Sequence, residues 1–404
     1  MYRVSPFLRH FAMALLAGVV VATLWVNLNP ASYYDAIEYR LADLALPWWM
    51  WPIPVSVTPM GLVAQGLMPL FLFFIGKELW EALVLERGAL VTRTSLRLPL
   101  GAVIGGMAGA VLVWLLTAAQ IETADEAGFG TGWPVPLGSD VVLCYLFGRR
   151  VFGAGHPALH LLLLITIAND ILGLLLVGMS YPTAGLRLAW LGLPLLAAGL
   201  VWAGFGRRAS PGASEVDRRR ALALWPYVLA GLVSYIGVGL AGLPPALGLL
   251  PVIPAIPHAD RSFGLFAEAE EFLHDPLNRL AQLLVWPLAV VLFLFGLTRG
   301  GIEFAALAPT SLAVLAAFWL GKPLGLLAGA GLVVLSGRAG LPAGVRLADL
   351  VLIAVISGIG FTVPVLALDT ALPGGAMVEA GRLGLAMTLA AGPAALLLAR
   401  ILRR

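Results

Sequence analysis

Apolar runs of about twenty residues recur from one end of the chain to the other, and they constrain its fold more than any other feature. As a helix, a run of that length spans the hydrocarbon core of a bilayer. With 60% hydrophobic and 12% charged residues in 404 positions, the chain cannot hide this surface from water in a soluble fold. The sequence therefore predicts an all-α membrane protein that crosses the lipid bilayer many times.

The apolar runs predict twelve transmembrane helices. Their approximate bounds are 12–27, 57–76, 98–119, 135–148, 157–179, 187–205, 223–240, 243–257, 281–297, 309–335, 348–368 and 381–399. The fourth and the eighth are too short to cross a bilayer unaided. A cleavable signal peptide is an alternative for the first run, although the residues after it offer only weak cleavage chemistry.

Most of the 25 basic residues fall in loops on one side of the membrane when the N-terminus is placed in the cytoplasm. Cytoplasmic loops of membrane proteins carry such an excess of arginine and lysine. The asymmetry predicts that both termini are cytoplasmic. It also accounts for the net charge of +3 without a nucleic-acid partner.

Asn169 and Asp170 stand side by side within the apolar fifth span, in the stretch TIANDILG. Thr166 lies one helical turn before Asp170, so a small polar face is expected there. An intramembrane asparagine commonly makes a structural hydrogen bond to a neighbouring helix. An intramembrane aspartate is by default a proton relay or a cation ligand. We therefore expect Asp170 to bind an ion or a proton, with Thr166 and Asn169 at the same site.

Two further charged residues lie at membrane depth. Ser139 and Asp140 follow Pro136 and Gly138 in GWPVPLGSDVVLCYLFG, where the backbone is expected to be broken and to line an ion site. The alternative is a simple helix start capped by Asp140. Lys322, in AAFWLGKPLGLLAG, lies far from either interface and must face anions, helix carbonyls or water. A structural ion pair with Asp140 or Asp170 is expected there, beside a functional role.

A second interruption is predicted in the eleventh span, within SGIGFTVP. Gly358, Gly360 and Pro364 all fall in its middle, although close helix packing is an alternative role for Gly358. The fourth and eleventh spans are each second in a group of three helices, at opposite ends of the chain. Transporters with inverted repeats place their broken helices and binding site in this way.

Six segments together resemble the bacterial NhaA-type sodium/proton antiporter family. They are FLFFIGKELW, GWPVPLGSDVVLCYLFG, LITIANDILG, LGKPLG, ISGIGFTVP and GRLG. The resemblance implies a single transmembrane antiporter domain over 1–404, in the bacterial inner membrane, with inverted repeats and two crossed discontinuous helices, spans 4 and 11. It also implies a core bundle at about 98–180 and 309–400, and interface helices at about 1–97 and 187–297.

The resemblance implies a role for each charged residue at membrane depth. Asp170 would bind Na⁺ or Li⁺ and H⁺ in alternation, and Asp140 and Lys322 would offset the facing dipole ends of the two broken helices. Family members usually carry a second aspartate where this chain has Asn169. We therefore expect about one proton per cation and electroneutral exchange that serves pH homeostasis.

The resemblance also bears on regulation and assembly. Glu78, Glu270 and His274 are candidates for a pH response on the cytoplasmic side, and the external segment 47–58 is a candidate hairpin that forms a homodimer. No cofactor is expected, and no phosphate-binding glycine loop is present in the sequence.

Two other classes of function compete with cation/proton exchange. A transporter or sensor of the same fold, acting on another ion or solute, fits the same residues. An intramembrane enzyme that uses Mg²⁺ and a lipid pyrophosphate would need several clustered carboxylates, and only Asp140 and Asp170 are available at depth. We therefore expect a transporter and not an enzyme.

Overall fold

The computed structural model describes residues 7–44, 55–84, 93–121, 128–182, 185–209, 216, 220–257, 275–337 and 339–402. These ranges are almost entirely helical, which confirms the predicted all-α membrane fold. They contain seven helices long and apolar enough to cross a membrane, or eight when one bent pair counts as a single span. The number twelve stays a prediction.

The first half of the described chain contains helices that correspond to the first five predicted spans. They are α1 (Phe7–Leu28), α2 (Pro30–Ile37), α3 (Pro59–Val84), α4 (Arg93–Ile121), α5 (Val141–Phe152) and α6 (Pro157–Ser180). Of these, α2 is a short helix outside the predicted spans. The 3₁₀ turns Phe129–Gly132 and Val135–Leu137 precede α5.

The second half continues the same pattern. Its helices are α7 (Gly192–Gly204), α8 (Trp225–Leu240), α9 (Pro276–Arg299), α10 (Pro309–Leu335), α11 (Leu347–Ser357), α12 (Thr362–Ala371), α13 (Ala376–Thr388) and α14 (Ala391–Leu402). In place of the eighth span lie two 3₁₀ segments, Pro245–Leu247 and Leu250–Ala255. A π-helical turn, Ala317–Gly321, interrupts α10.

A two-stranded antiparallel sheet follows α2. It pairs β1 (Ala42–Leu44) with β2 (Val55–Val57), with Ala42 opposite Val57. The predicted hairpin at 47–58 contains β2 but begins too late, because the partner strand precedes it. Residues 47–54 lie outside the described residues. The end of the bundle that carries this sheet is called the hairpin end below.

A ladder of glycines joins α4 to α10. Gly105 and Gly109 on α4 face Gly325 on α10, and a side chain at Gly325 would overlap the backbone of both. Glycines four residues apart let two helix backbones approach closely, which favours association in a membrane, where lipid replaces the hydrophobic driving force. The ladder holds α10 at a fixed height against α4, and α10 carries Lys322.

Both predicted interruptions are present. Before α5, the chain runs from the 3₁₀ turn Val135–Leu137 into an extended segment that ends at Asp140. The second break separates α11 from α12, whose axes differ by 46°. Gly360 lies inside that break, where the ring of Phe318 occupies the space that a side chain would need. Pro364 lies in the first turn of α12, where a missing N–H costs no helical hydrogen bond.

Candidate ion-binding site

The two broken segments meet each other at Gly138. A side chain at this position would collide with Val363 on α12, so glycine allows the two segments to touch. Gly173 on α6 packs against the backbone of Gly138 from another side. A side-chain carbon placed at Gly173 would lie 3.0 Å from the Gly138 nitrogen. The helix that carries Asn169 and Asp170 therefore packs directly on the crossing.

Asp140 joins the N-termini of the two broken helices. Its Oδ1 accepts a hydrogen bond from the Leu143 N–H at 2.8 Å, and its Oδ2 accepts one from the Thr362 N–H at 3.0 Å. The carboxylate is fully buried. An acidic residue at a helix N-terminus satisfies unpaired N–H groups and offsets the positive end of the helix dipole. The broken backbone and the helix cap, alternatives from the sequence, are both observed.

Lys322 satisfies the carbonyl end of the first broken segment. Its Nζ donates to the carbonyls of Pro136 at 3.2 Å and Leu137 at 3.3 Å, and also to that of Gly138. The side chain is fully buried. Within the described ranges, no carboxylate lies within ion-pair distance of Lys322, so the ion pair expected with Asp140 or Asp170 is not observed. The hydrogen bonds of the Lys322 ammonium therefore go to backbone carbonyls.

Neutral donors satisfy the carbonyl end of the second broken helix. Ser139 Oγ donates to the Ser357 carbonyl at 3.2 Å, and Cys144 Sγ donates to the Ile356 carbonyl at 3.2 Å. The resemblance had implied that Lys322 offsets the facing dipole ends. In the structure, its hydrogen bonds go to one broken segment, while a hydroxyl and a thiol serve the other.

Ser139 also holds the two polar residues of TIANDILG. Its N–H donates to Asp170 Oδ1 at 2.7 Å, and its Oγ accepts a hydrogen bond from Asn169 Nδ2 at 3.4 Å. All three residues are buried. The extended backbone before α5 therefore fixes the orientation of the carboxylate and the amide.

Three oxygens of this region are buried without a hydrogen-bond partner among the described residues: Asp170 Oδ2, Asn169 Oδ1 and Thr362 Oγ1. Such a buried, unpaired polar atom costs about 1–3 kcal/mol. Oxygen ligands of this kind are those that hard cations take. Thr362 was not among the residues predicted for the site, although it stands at the break in SGIGFTVP. Its hydroxyl lies near the Asp140 carboxylate.

Three other predicted site residues, Thr166, Gly358 and Gly360, make contacts within or between the helices of the site. Thr166 is buried one turn from Asp170, but its hydroxyl donates to the carbonyls of its own helix at Leu162 and Leu163, both at 3.0 Å. Gly358 ends α11. The N–H of Gly360 donates to the Thr388 hydroxyl at 3.1 Å, which fixes the unwound backbone.

Glu78 lies far along α3, toward the end opposite the hairpin. Lys77 Nζ is 3.0 Å from Glu78 Oε1 and 3.1 Å from Glu81 Oε2, and all three side chains are buried. Glu270 and His274, the other two candidates for a pH response, lie outside the described residues. The structure therefore adds Lys77 and Glu81 as neighbours of Glu78.

Comparison with protein families identifies a match over residues 9–400 to the family described as "Na+/H+ antiporter 1". The chain belongs to this family. It is 36% identical over 413 aligned residues to the "Na(+)/H(+) antiporter NhaA" of Jannaschia sp. (strain CCS1), covering 99% of this chain and 98% of that protein.

A further antiporter-family relative is the "Na(+)/H(+) antiporter NhaA 2" of Pelobacter propionicus, 33% identical over 98% of this chain and 97% of that protein. The structure is similar to that of the sodium proton antiporter MjNhaP1 from Methanocaldococcus jannaschii, with a TM-score of 0.53, 14% identity and 98% coverage of both chains. At that identity the likeness shows the fold alone.

Proposed function

We propose that the chain is a secondary antiporter that exchanges Na⁺ or Li⁺ for H⁺ across the bacterial inner membrane. Membership of the antiporter family and the curated names of its relatives support this function. The observation that carries it is the state of Asp170. One carboxylate oxygen is held by the Ser139 backbone, and the other is buried without a partner.

The free oxygen of Asp170 explains how the two ions are coupled. A proton on this oxygen neutralises the buried carboxylate, and a bound cation does the same, so each favours release of the other. Asn169 Oδ1 and Thr362 Oγ1 supply neutral oxygens for the cation. Asp140 holds the N-termini of the two broken helices and does not itself exchange ions. The proposed exchange needs no covalent chemistry.

Transport also requires access to Asp170 from both sides. We propose that a core bundle, at about 98–180 and 309–400, moves against interface helices at about 1–97 and 187–297. Both helices of the glycine ladder belong to this core. A cavity of 570 Å³ at the hairpin end is lined by Leu174 and Val177 on α6, the helix of Asp170. With both termini in the cytoplasm, this cavity opens to the outside.

The stoichiometry is proposed to be one proton per cation. Asn169 supplies an amide where a second titrating carboxylate would stand, and Lys322 bonds to backbone carbonyls. Asp170 is then the residue of the site that exchanges ions. A one-for-one exchange of monovalent cations moves no net charge, so its rate should not depend on membrane potential.

Two further roles are proposed for residues outside the site. The buried cluster of Lys77, Glu78 and Glu81 would respond to cytoplasmic pH, because one ammonium faces two carboxylates there. The two-stranded sheet of β1 and β2 would contribute to a homodimer, since a two-stranded sheet leaves open edges that can pair with a second copy.

The test is cation-driven proton flux in proteoliposomes, with the membrane potential clamped to zero or imposed. Wild type should show flux driven by Na⁺ or Li⁺ that ignores the potential, and Asp170→Asn should show none. In Asn169→Asp, the added carboxylate should make the flux respond to the potential. Wild-type protein without flux for any alkali cation would refute exchange, and would favour a transporter or sensor of the same fold for another solute.

A further inference from the structure

When protonated, Lys322 carries a positive charge in the interior of the protein, and no carboxylate among the described residues lies within ion-pair distance of it. Its Nζ donates to three backbone carbonyls, those of Pro136, Leu137 and Gly138. Carbonyl dipoles alone are weaker partners for an ammonium than a carboxylate is. Any further group in contact with the ammonium therefore affects how well the charged form is stabilised.

The ring of Phe318 is such a group. Lys322 Nζ lies 5.1 Å from the ring centroid, and both side chains are fully buried. The face of an aromatic ring is negative, so it attracts a cation within about 6 Å of its centroid, most strongly where water is excluded. The two residues are four apart along α10, and the π-helical turn Ala317–Gly321 ends between them. Such turns occur frequently at functional sites.

The same ring also touches the second broken helix. It fills the space beside Gly360, and the carbonyl of Phe318 lies against Gly358. Phe318 therefore stands between the ammonium that serves the first broken segment and the gap in the second. A change in the ring would therefore affect both the ammonium of Lys322 and the break between α11 and α12.

We propose that Phe318 is a positioning residue for transport, and that its ring holds Lys322 charged and directed at the carbonyls of Pro136 to Gly138. In this chain the ring takes the place of the counter-charge that an aspartate at position 169 would supply. Asn169 lies beside this group, because its amide contacts Ser139 Oγ at 3.4 Å and Lys322 bonds to the preceding residue, Gly138. The inference rests on the proposed function.

The experiment weakens the ring electrostatically without changing its shape. Phe318 is replaced, in the full-length protein, by phenylalanine analogues with one, two and three ring fluorines, which withdraw charge from the ring face stepwise. Proton flux in proteoliposomes and the melting temperature of the purified protein are measured for each. We expect both to fall steadily along the series, with the flux decreasing about tenfold in total.

Matched variants separate the charge effect from packing. The same series at Phe295, a fully buried ring in the apolar core on α9, should change neither quantity. Phe318→Tyr keeps the ring and should retain flux, whereas Phe318→Leu should lose at least as much as the trifluorinated protein. In the Asn169→Asp background, the added carboxylate holds Lys322, so the melting temperature should depend less on fluorine number.

The outcomes separate this inference from the proposed function. Equal slopes at Phe318 and Phe295, or a slope in Asn169→Asp as steep as in wild type, would overturn the role given to the ring. If wild type shows no flux, exchange is refuted while the melting temperatures still test the contact between Phe318 and Lys322. If wild-type flux is normal and the Phe318 series is flat, only the inference fails.

Discussion

Asp140 should stabilise the fold by capping two helices at once, and this can be measured. Asp140→Ala would leave the buried N–H groups of Leu143 and Thr362 without acceptors. Each unsatisfied donor costs about 1–3 kcal/mol, so the substitution should reduce the free energy of unfolding by about 2–6 kcal/mol. Asp140→Asn keeps one acceptor oxygen and should cost about half as much.

Thermal melting of the purified protein gives the order of the variants, and Asp275→Ala is the matched control. Among the described residues, Asp275 caps α9 alone. It accepts one backbone hydrogen bond, from the Asn278 N–H at 3.1 Å, and two from the Asn278 side-chain amide at 2.9 and 3.1 Å. Loss of this single cap should cost about 1 kcal/mol. We expect the melting temperature to fall most for Asp140→Ala, less for Asp140→Asn and least for Asp275→Ala.

Hydrogen exchange followed by mass spectrometry locates the effect. In Asp140→Ala, the amides in the first turns of both α5 and α12 should exchange faster, although Leu143 and Thr362 are far apart in sequence. Faster exchange in α5 alone would mean that Asp140 is an ordinary cap of its own helix. Equal melting temperatures for Asp140→Ala and Asp275→Ala would likewise refute the double cap.

Two further predictions follow from packing and from ion competition. Gly325→Ala should lower the melting temperature, because the added carbon would overlap the Gly105 carbonyl and lie 2.8 Å from the Gly109 Cα, whereas Gly331→Ala meets open space and should be neutral. If proton and cation compete for Asp170, each tenfold rise in proton concentration in the inhibitory range should raise the apparent KM for Na⁺ about tenfold at constant maximal rate. A fall in maximal rate with unchanged KM would contradict competition.

The two breaks at membrane depth were predictable because their causes are local. Pro136 cannot donate a backbone hydrogen bond, and glycines such as Gly138 and Gly360 tolerate unwound backbone and close approach. These properties belong to the residue itself, so the sequence carries them directly. The same reasoning placed Asp140 beside broken backbone, where it caps α5. For Lys322 it left anions, helix carbonyls or water open as partners, and the structure shows backbone carbonyls.

The partners across the site were not predictable because they depend on how distant segments meet. The hydrogen bond between Asp140 and Thr362 joins residues 222 positions apart, and that between Cys144 and Ile356 joins residues 212 apart. The residue pattern along either helix does not indicate which residue of the other helix it will contact. The ring of Phe318 was missed for a different reason, since a phenylalanine in an apolar span is indistinguishable from any other core residue.

The start of the hairpin was predicted wrongly because its strands are short. Three residues on each side, in Ala42–Leu44 and Val55–Val57, give too little alternation to mark a strand. Strand β1 also contains Asp43, whose side chain bonds to Ser56 across the sheet. Aspartate is depleted in strands, so its presence masked the pairing.

The sum of the formal charges in the site also supports the exchange of one cation for one proton. With every group ionised, Asp140 and Asp170 contribute two negative charges and Lys322 one positive charge, all fully buried. A single monovalent cation or a single proton at Asp170 then brings the buried group to neutrality, which is the state that a low-dielectric interior favours. A carboxylate in place of Asn169 would leave one further negative charge, and a second ion would be needed to neutralise it. Because position 169 carries an amide, one bound ion neutralises the site in each half of the transport cycle, either one cation or one proton.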